Sequence, residues 1–132
     1  MTLEEIHKLP RNKLVEYFHS LTHKNEKLNG EYVGHAWSFS HPVIASIANT
    51  VWSGKKFLDR SVRNRVAGQL VIVGDVYYGD SIVIIYYPSL KLEDELRYTG
   101  KFWLGRMTFK GGYIWFTLSK KQVNQEKTDF QS

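Results

Sequence analysis

The sequence predicts a mainly β (α+β) domain: a strongly bent antiparallel sheet or half-closed small barrel of about six to seven strands, with N-terminal helices and one helix after the first strand. Three observations carry that reading. Helical periodicity is confined to the first 52 residues, whereas from residue 66 the chain turns to runs rich in Val, Ile, Tyr and Phe. Those runs are short and separated by glycine-containing dipeptides, the mark of hairpins. At 132 residues the chain has room for one domain, and 42% hydrophobic residues with 14% aromatic suffice to fill a single core. The expected organisation is a helical segment over residues 1–28 packed on the barrel, a barrel-like domain over 29–119, and a polar, disordered tail over 120–132.

Taken in order, Thr2 and Glu5 have capping-box spacing, Leu3 and Ile6 supply an apolar edge, and Pro10 ends a first short helix. A second helix carries Leu14, Tyr17, Phe18 and Leu21 along one stripe. Its His19 and His23 are four apart, which reads as solvated histidines because no third ligand accompanies them. Gly30 to Phe39 is extended. Ser40 or His41 then caps a helix with Pro42 in its first turn, running to about Trp52, with Val43, Ile44, Ile47 and Val51 as its buried stripe and Gly54 as its C-terminal cap. Five strands follow: Leu70–Tyr78, Ser81–Tyr87, Glu93–Thr99, Phe102–Lys110 and Tyr113–Ser119.

Two-residue turns at Gly100-Lys101 and Gly111-Gly112 would place Thr99 opposite Phe102 and Lys110 opposite Tyr113. Counting outward separates two faces. One carries Leu96, Tyr98, Trp103, Gly105, Met107, Phe109, Ile114, Phe116 and Leu118 without a single charge, and is the core side, expected beneath the N-terminal helices. The other places Glu95 opposite Arg106, with Arg97, Tyr113 and Trp115 close by. Two guanidiniums beside aromatic planes suit an anionic, partly flat ligand; the same residues also make an ordinary solvent face.

Composition excludes several chemistries. With no cysteine there are no disulfides, thiol nucleophiles or cysteine metal sites, and the chain fits the cytoplasm. Neither a secretory signal nor a transmembrane segment is expected. A charge of +5 and a pI near 9.4 favour anionic partners. The steepest charge density runs from Lys55 to Arg65, a segment read as a solvated loop or as a surface for nucleic acid or an anionic membrane. All five histidines lie in the first third, and neither a nucleophile elbow nor a phosphate-binding glycine loop occurs. Candidate acids and bases are His35 near Trp37, His41 at a helix start, and Asp75, expected opposite Ile84 within an apolar hairpin.

Two stretches together resemble a known family. Gly30-Glu-Tyr-Val-Gly34, followed by His41-Pro42 and Trp52-Ser-Gly-Lys-Lys-Phe57, resembles the family named for its Gly-x-Trp-x-Gly (GXWXG) motif, with Tyr32 where that family has Trp. Asp94-Glu-Leu-Arg97, Leu104-Gly-Arg-Met107, Lys110-Gly111 and Tyr113-Ile-Trp-Phe-Thr-Leu118 resemble its companion domain of unknown function. The resemblance covers most of residues 30–120. It implies a small barrel of lipocalin-like or pleckstrin-homology-like form in which Tyr32, the Trp52–Phe57 segment, Arg97 and Arg106 come together; it supplies no reaction.

The leading expectation is a non-enzymatic binding protein for a small amphipathic anion, lipid- or fatty-acid-like, in a barrel cavity. Its ligand-binding residues would be Tyr32, His35, Trp37, Trp52, Lys56, Arg97, Arg106 and Trp115, with no cofactor or metal, as a monomer or homodimer. Two alternatives stand beside it: nucleic-acid or anionic-surface binding through Lys55–Arg65, and a small isomerase or cyclase using His35, His41 or Asp75.

Overall fold

Alternating side chains and tight turns bend the β-rich part of the chain back on itself until its first and last strands meet. A computed structural model describes residues 1–24 and 26–121. Two helices, α1 (Leu3–Lys8) and α2 (Arg11–Ser20), precede strand β1 (Gly30–Trp37), and α3 (Pro42–Val51) follows it. Seven strands complete the chain: β2 (Trp52–Leu58), β3 (Ser61–Val66), β4 (Gln69–Tyr78), β5 (Val83–Tyr87), β6 (Leu92–Tyr98), β7 (Trp103–Phe109) and β8 (Gly112–Lys120). Every strand pairs antiparallel with its sequence neighbour, and β1 pairs with β8 from Tyr32↔Lys120 to Trp37↔Trp115. The barrel is therefore closed, with eight strands, not half-closed with six or seven. Closure leaves no sheet edge unpaired.

The additional strands are β2 and β3, which occupy the segment read as a helix end and a basic loop. Charge hid the alternation there: Phe57, Val62 and Asn64 are buried, and so is Lys55, while Lys56 and Arg63 point to solvent. Trp52 starts β2 instead of ending a helix. Gly54 is no helix cap; it sits at a bulge where a Cβ would fall 1.9 Å from the Tyr32 carbonyl oxygen, so only glycine lets β1 and β2 approach.

Two hairpins differ from the expected register by two residues. The β7–β8 turn is Lys110-Gly111, both with positive φ as a type I′ turn requires, which places Met107 opposite Ile114 and Gly105 opposite Phe116. The β4–β5 loop spans four residues, closed by Gly79 N–H donating to the Ile82 carbonyl at 2.8 Å. Asp75 consequently faces Tyr86, not Ile84, and is exposed rather than buried in an apolar hairpin. A shift of two preserves the period-two alternation, so both faces of the meander keep their members.

The charge-free face fills the barrel interior, where Leu96, Trp103, Phe116 and Leu118 meet Phe57, Val76 and Ile85. The N-terminal helices do not cover that face. They pack outside, on the mixed face, where Ile6, Leu14, Phe18 and Leu21 bury Phe102, Leu104 and Trp115 in a second core. The reason is geometric: a closed eight-stranded barrel fills its interior with its own side chains, leaving only the outer surface for helices. Thr2 and Glu5 do form the capping box that starts α1, with hydrogen bonds of 3.1 and 2.9 Å.

Helix α3 is turned differently from the expectation. Ala45 is its buried residue, whereas Val43 and Ile47 are 69% and 61% exposed and Ile44 and Val51 are exposed as well. Polar bonds set this orientation: the Asn49 amide donates to the Ala36 carbonyl at 2.5 Å and accepts from the Ala36 N–H at 2.8 Å, which ties the helix to the end of β1. The expected polar tail begins later than residue 120. Lys120 closes β8, and residues 122–132 lie outside the described residues.

Candidate functional site

At one place in the barrel interior, four strands bring buried polar groups together. Strand β2 contributes Trp52 and Lys55, both turned inward because the bulge between Trp52 and Gly54 resets the alternation. Asn64 comes from β3, Tyr87 from β5 and Asp94 from β6. Opposite Trp52, Gly34 of β1 leaves space for the indole: a Cβ there would lie 2.2 Å from its ring.

Lys55 Nζ stands 3.0 Å from Asp94 Oδ2, and the two side chains are 4% and 3% exposed. The ammonium also donates to Asn64 Oδ1 at 2.7 Å and to the Tyr87 hydroxyl at 2.5 Å, which uses all three of its protons. Tyr87 in turn donates to Asp94 Oδ2 at 2.8 Å, and Trp52 Nε1 donates to Asn64 Oδ1 at 2.9 Å. Asn64 Nδ2 donates to the Ile72 carbonyl at 3.1 Å, which fixes the amide orientation. The rings of Tyr87, Phe116 and Trp52 lie 5.0, 5.3 and 5.5 Å from the same Nζ.

Burial lowers the Lys55 pKa from its ordinary value against the opposing pull of Asp94. Burial, reinforced by the Asp94 charge, raises Tyr87 well above the usual phenol value. Two charges out of water carry a desolvation cost that only close pairing and complete hydrogen bonding offset, and both conditions are met here.

This polar cluster borders a cavity of about 290 Å³ whose remaining wall is apolar, including Ala48 and Val51 of α3, Ile72, Met107, Ile114 and Phe116. That volume sits at the small end of ligand sites, which run from about 300 to 1,000 Å³. Helix α3 and Leu90 of the β5–β6 connection stand at its mouth.

The residues singled out from sequence are distributed over several places. Trp52 lines the cavity. Tyr32 is packed against the interior cluster, with its ring edge-on to Phe57 at 5.5 Å. Lys56 is exposed on β2; its neighbour Lys55 is the one turned inward. His35 and Trp37 lie outside with His7 of α1, whose ring centroid is 4.7 Å from that of His35 and 4.5 Å from that of Trp37. Arg97, Arg106 and Trp115 lie outside too, beneath α2: Arg106 stacks 4.7 Å over Phe18 and 4.6 Å over Tyr113 and reaches Glu95 at 3.4 Å. Arg97 donates to the Leu21 carbonyl at 3.2 Å. These arginines are thus neither in the cavity nor on an open solvent face; they anchor the helical layer.

The candidate acids and bases are equally dispersed. His41 Nε2 is 2.9 Å from the Phe109 carbonyl oxygen, and Asp75 is exposed. The basic run is divided by its own hairpin: Lys55 is inside, Lys56, Arg60 and Arg63 are exposed, and Arg65 pairs with Glu31. Sequence reasoning places Lys55 in a solvated or anion-binding basic run, not inside the barrel, and does not include Asn64, Tyr87 and Asp94 among the expected site residues. The available signal was polar residues in phase with apolar ones, Lys55 with Phe57, Asn64 with Val62 and Val66, and Asp94 with Leu96.

Fold and site together define a small up-and-down β-barrel with an internal, charge-neutral polar cluster at the side of an apolar cavity. No family model, no curated protein and no solved structure matches the chain. Among the described residues, no helix is long and apolar enough to cross a membrane.

Proposed function

We propose that this protein binds a small amphipathic molecule inside its barrel. The apolar body lies among Met107, Ile114, Phe116 and the α3 residues, and an oxygen-bearing head meets the cluster of Lys55, Asn64, Tyr87 and Asp94. A single observation supports this reading: the barrel's buried lysine and aspartate border its apolar cavity instead of being sealed behind other side chains. A water molecule takes up roughly 30 Å³ of liquid, so the cavity of about 290 Å³ holds on the order of ten water-sized groups and suits a small ligand. Because Asp94 already offsets the charge of Lys55, an uncharged carbonyl, hydroxyl or protonated carboxyl head suits the cluster better than the full anion expected from sequence. Arg97 and Arg106 are occupied beneath α2, so the head group meets Lys55 and Tyr87 instead, its oxygen exchanging for one of the acceptors that their protons already engage within the cluster. The resemblance to the GXWXG family is part of the same proposal, with Gly34 and the Trp52–Phe57 segment as its shared elements.

The test is a titration with hexanol followed by tryptophan emission, since Trp52 borders the cavity. The emission should change to saturation, nearly independently of salt, because the contacts are buried. Ala48→Phe, which extends a ring from the cavity wall, should weaken the response. A flat titration at hexanol's solubility limit would defeat the proposal. Binding of a duplex or single-stranded oligonucleotide that weakens steeply as salt rises would transfer support to the exposed Lys56, Arg60 and Arg63.

A further inference from the structure

The cation bordering the cavity is a primary amine, and that gives the proposed binding site a covalent chemistry. All other lysines among the described residues are exposed; Lys55 alone of them is buried, and it is held in a water-poor, aromatic-walled space large enough for a small organic molecule. An ion pair serving packing alone is suited equally well or better by arginine, whose guanidinium is more weakly hydrated and cannot lose its proton. An ammonium beside a carboxylate can lose one. Asp94 Oδ2 lies 3.0 Å from Nζ, within proton-transfer reach, and the Tyr87 hydroxyl bridges both groups at 2.5 and 2.8 Å.

We propose that the cavity takes a small apolar aldehyde or ketone, and that Lys55 condenses with its carbonyl carbon to form an imine. This deepens the binding reading above and rests on it. The Lys55 ammonium passes a proton to Asp94 Oδ2, and the freed nitrogen lone pair adds to the carbonyl carbon. Asp94 returns that proton to the carbonyl oxygen, giving a carbinolamine. Asp94 then takes a second proton from nitrogen and delivers it to the hydroxyl, which departs with the C–O bonding pair as water while the nitrogen lone pair closes the C=N bond. Of the three ammonium hydrogens, two leave in the water and one stays on the iminium nitrogen. The positive charge is retained beside Asp94, which ends as the carboxylate it began as, so atoms and charge balance without any further reactant.

The surroundings suit both stages. The lowering of the Lys55 pKa by burial favours the amine over the ammonium, in line with the geometry. The rings of Tyr87, Phe116 and Trp52 around Nζ stabilise an iminium cation while keeping out the water that would hydrolyse it.

The experiment treats the full chain with hexanal and cyanoborohydride at neutral pH and locates the resulting hexyl-lysine by peptide mass spectrometry; hexanol, which cannot condense, reports reversible occupancy. Lys55 should be modified about tenfold faster than the exposed lysines, a small part of what holding two reactants together supplies. Excess hexanol should protect Lys55 and no other lysine, a comparison made wholly on the unaltered protein. Lys55→Arg, if folded by circular dichroism, should lose the label at that site. Hexanol binding with label confined to exposed lysines would overturn imine formation and leave the cavity reading intact. Absence of both hexanol binding and selective labelling would overturn the two together.

Discussion

Asp94→Asn strands a buried ammonium and gives the sharpest energetic test of the internal cluster. The side chains of the pair are 4% and 3% exposed, so solvent cannot replace the lost carboxylate. Lys55 would keep Asn64 and Tyr87 as acceptors, at 2.7 and 2.5 Å, but would have no counter-charge. It can stay charged at the cost of burying an unpaired ion, or give up its proton. At pH 7 the second route spans between three and four units from the ordinary lysine value, at 1.36 kcal/mol each, which caps the penalty near about 4–5 kcal/mol. Breaking buried pairs elsewhere costs about 3–5 kcal/mol, so the two estimates agree. The sign of the pH dependence follows. Deprotonation becomes cheaper as pH approaches the unfolded lysine value near 10.5, so the penalty should shrink by about 1.4 kcal/mol per pH unit between 7 and 10. Urea denaturation of wild type and variant at pH 7, 8 and 9 measures this, with the slope m serving as the check on two-state behaviour. The double variant Lys55→Met/Asp94→Asn, which removes both charges, should be more stable than Asp94→Asn alone. A penalty under about 1 kcal/mol without pH dependence, or strictly additive single variants, would refute the claim that these groups form an isolated buried pair.

Other perturbations probe the remaining features. Gly34→Ala should destabilise the barrel by about 1–3 kcal/mol, because its methyl would meet the Trp52 ring, and Trp52→Leu in the same chain should recover much of that loss in urea titrations. Phe18→Ala should cost about 3–5 kcal/mol by emptying the contact among Arg106, Arg97 and Trp115, with Trp115 emission reporting the loosened helical layer. His7 has its pKa lowered, first by burial and then by His35, so the folded chain resists a proton that the unfolded chain accepts. Stability should therefore be complete above pH 6.5 and decline as pH falls below it, and His7→Phe should flatten that decline in thermal scans. Glu31 is held below the ordinary carboxylate value chiefly by its hydrogen bond from Arg65, so its contribution is present above pH 4.5 and lost as pH falls through the lowered value. Glu31→Gln should cost below about 1 kcal/mol at neutral pH and reduce the loss on acidification.

The late meander was legible because its alternation is undisturbed: Trp103, Met107, Ile114, Phe116 and Leu118 share a face whichever of the two even registers applies. The two-residue register error followed from assigning Gly111-Gly112 to the turn when Lys110, a residue that seldom adopts positive φ, takes the first turn position. The hairpin of β2 and β3 was hidden for a different reason. Its inward positions include Lys55 and Asn64, so hydrophobicity alone shows no alternation, although burial alternates. The same two residues make the candidate site, and the feature that obscured the strands is the feature that gives the cavity its chemistry. Helix α3 misled in the opposite sense: Val43, Ile47 and Val51 read as a buried stripe, but the two hydrogen bonds of Asn49 to Ala36 turn that stripe toward water.

Pairing of β1 with β8 makes barrel closure wait until β8 has been made. Until Gly112–Lys120 has left the ribosome, β1 has no partner on one side and β7 exposes unsatisfied amides, so the nascent chain carries two adhesive borders that vanish when β8 pairs with both. Helices α1 and α2 share that delay, because Trp115, on which Phe18 rests, belongs to the same late segment. Contacts spanning some eighty residues place this chain among slow folders, on the order of milliseconds to seconds, and prolong the time those borders stay exposed.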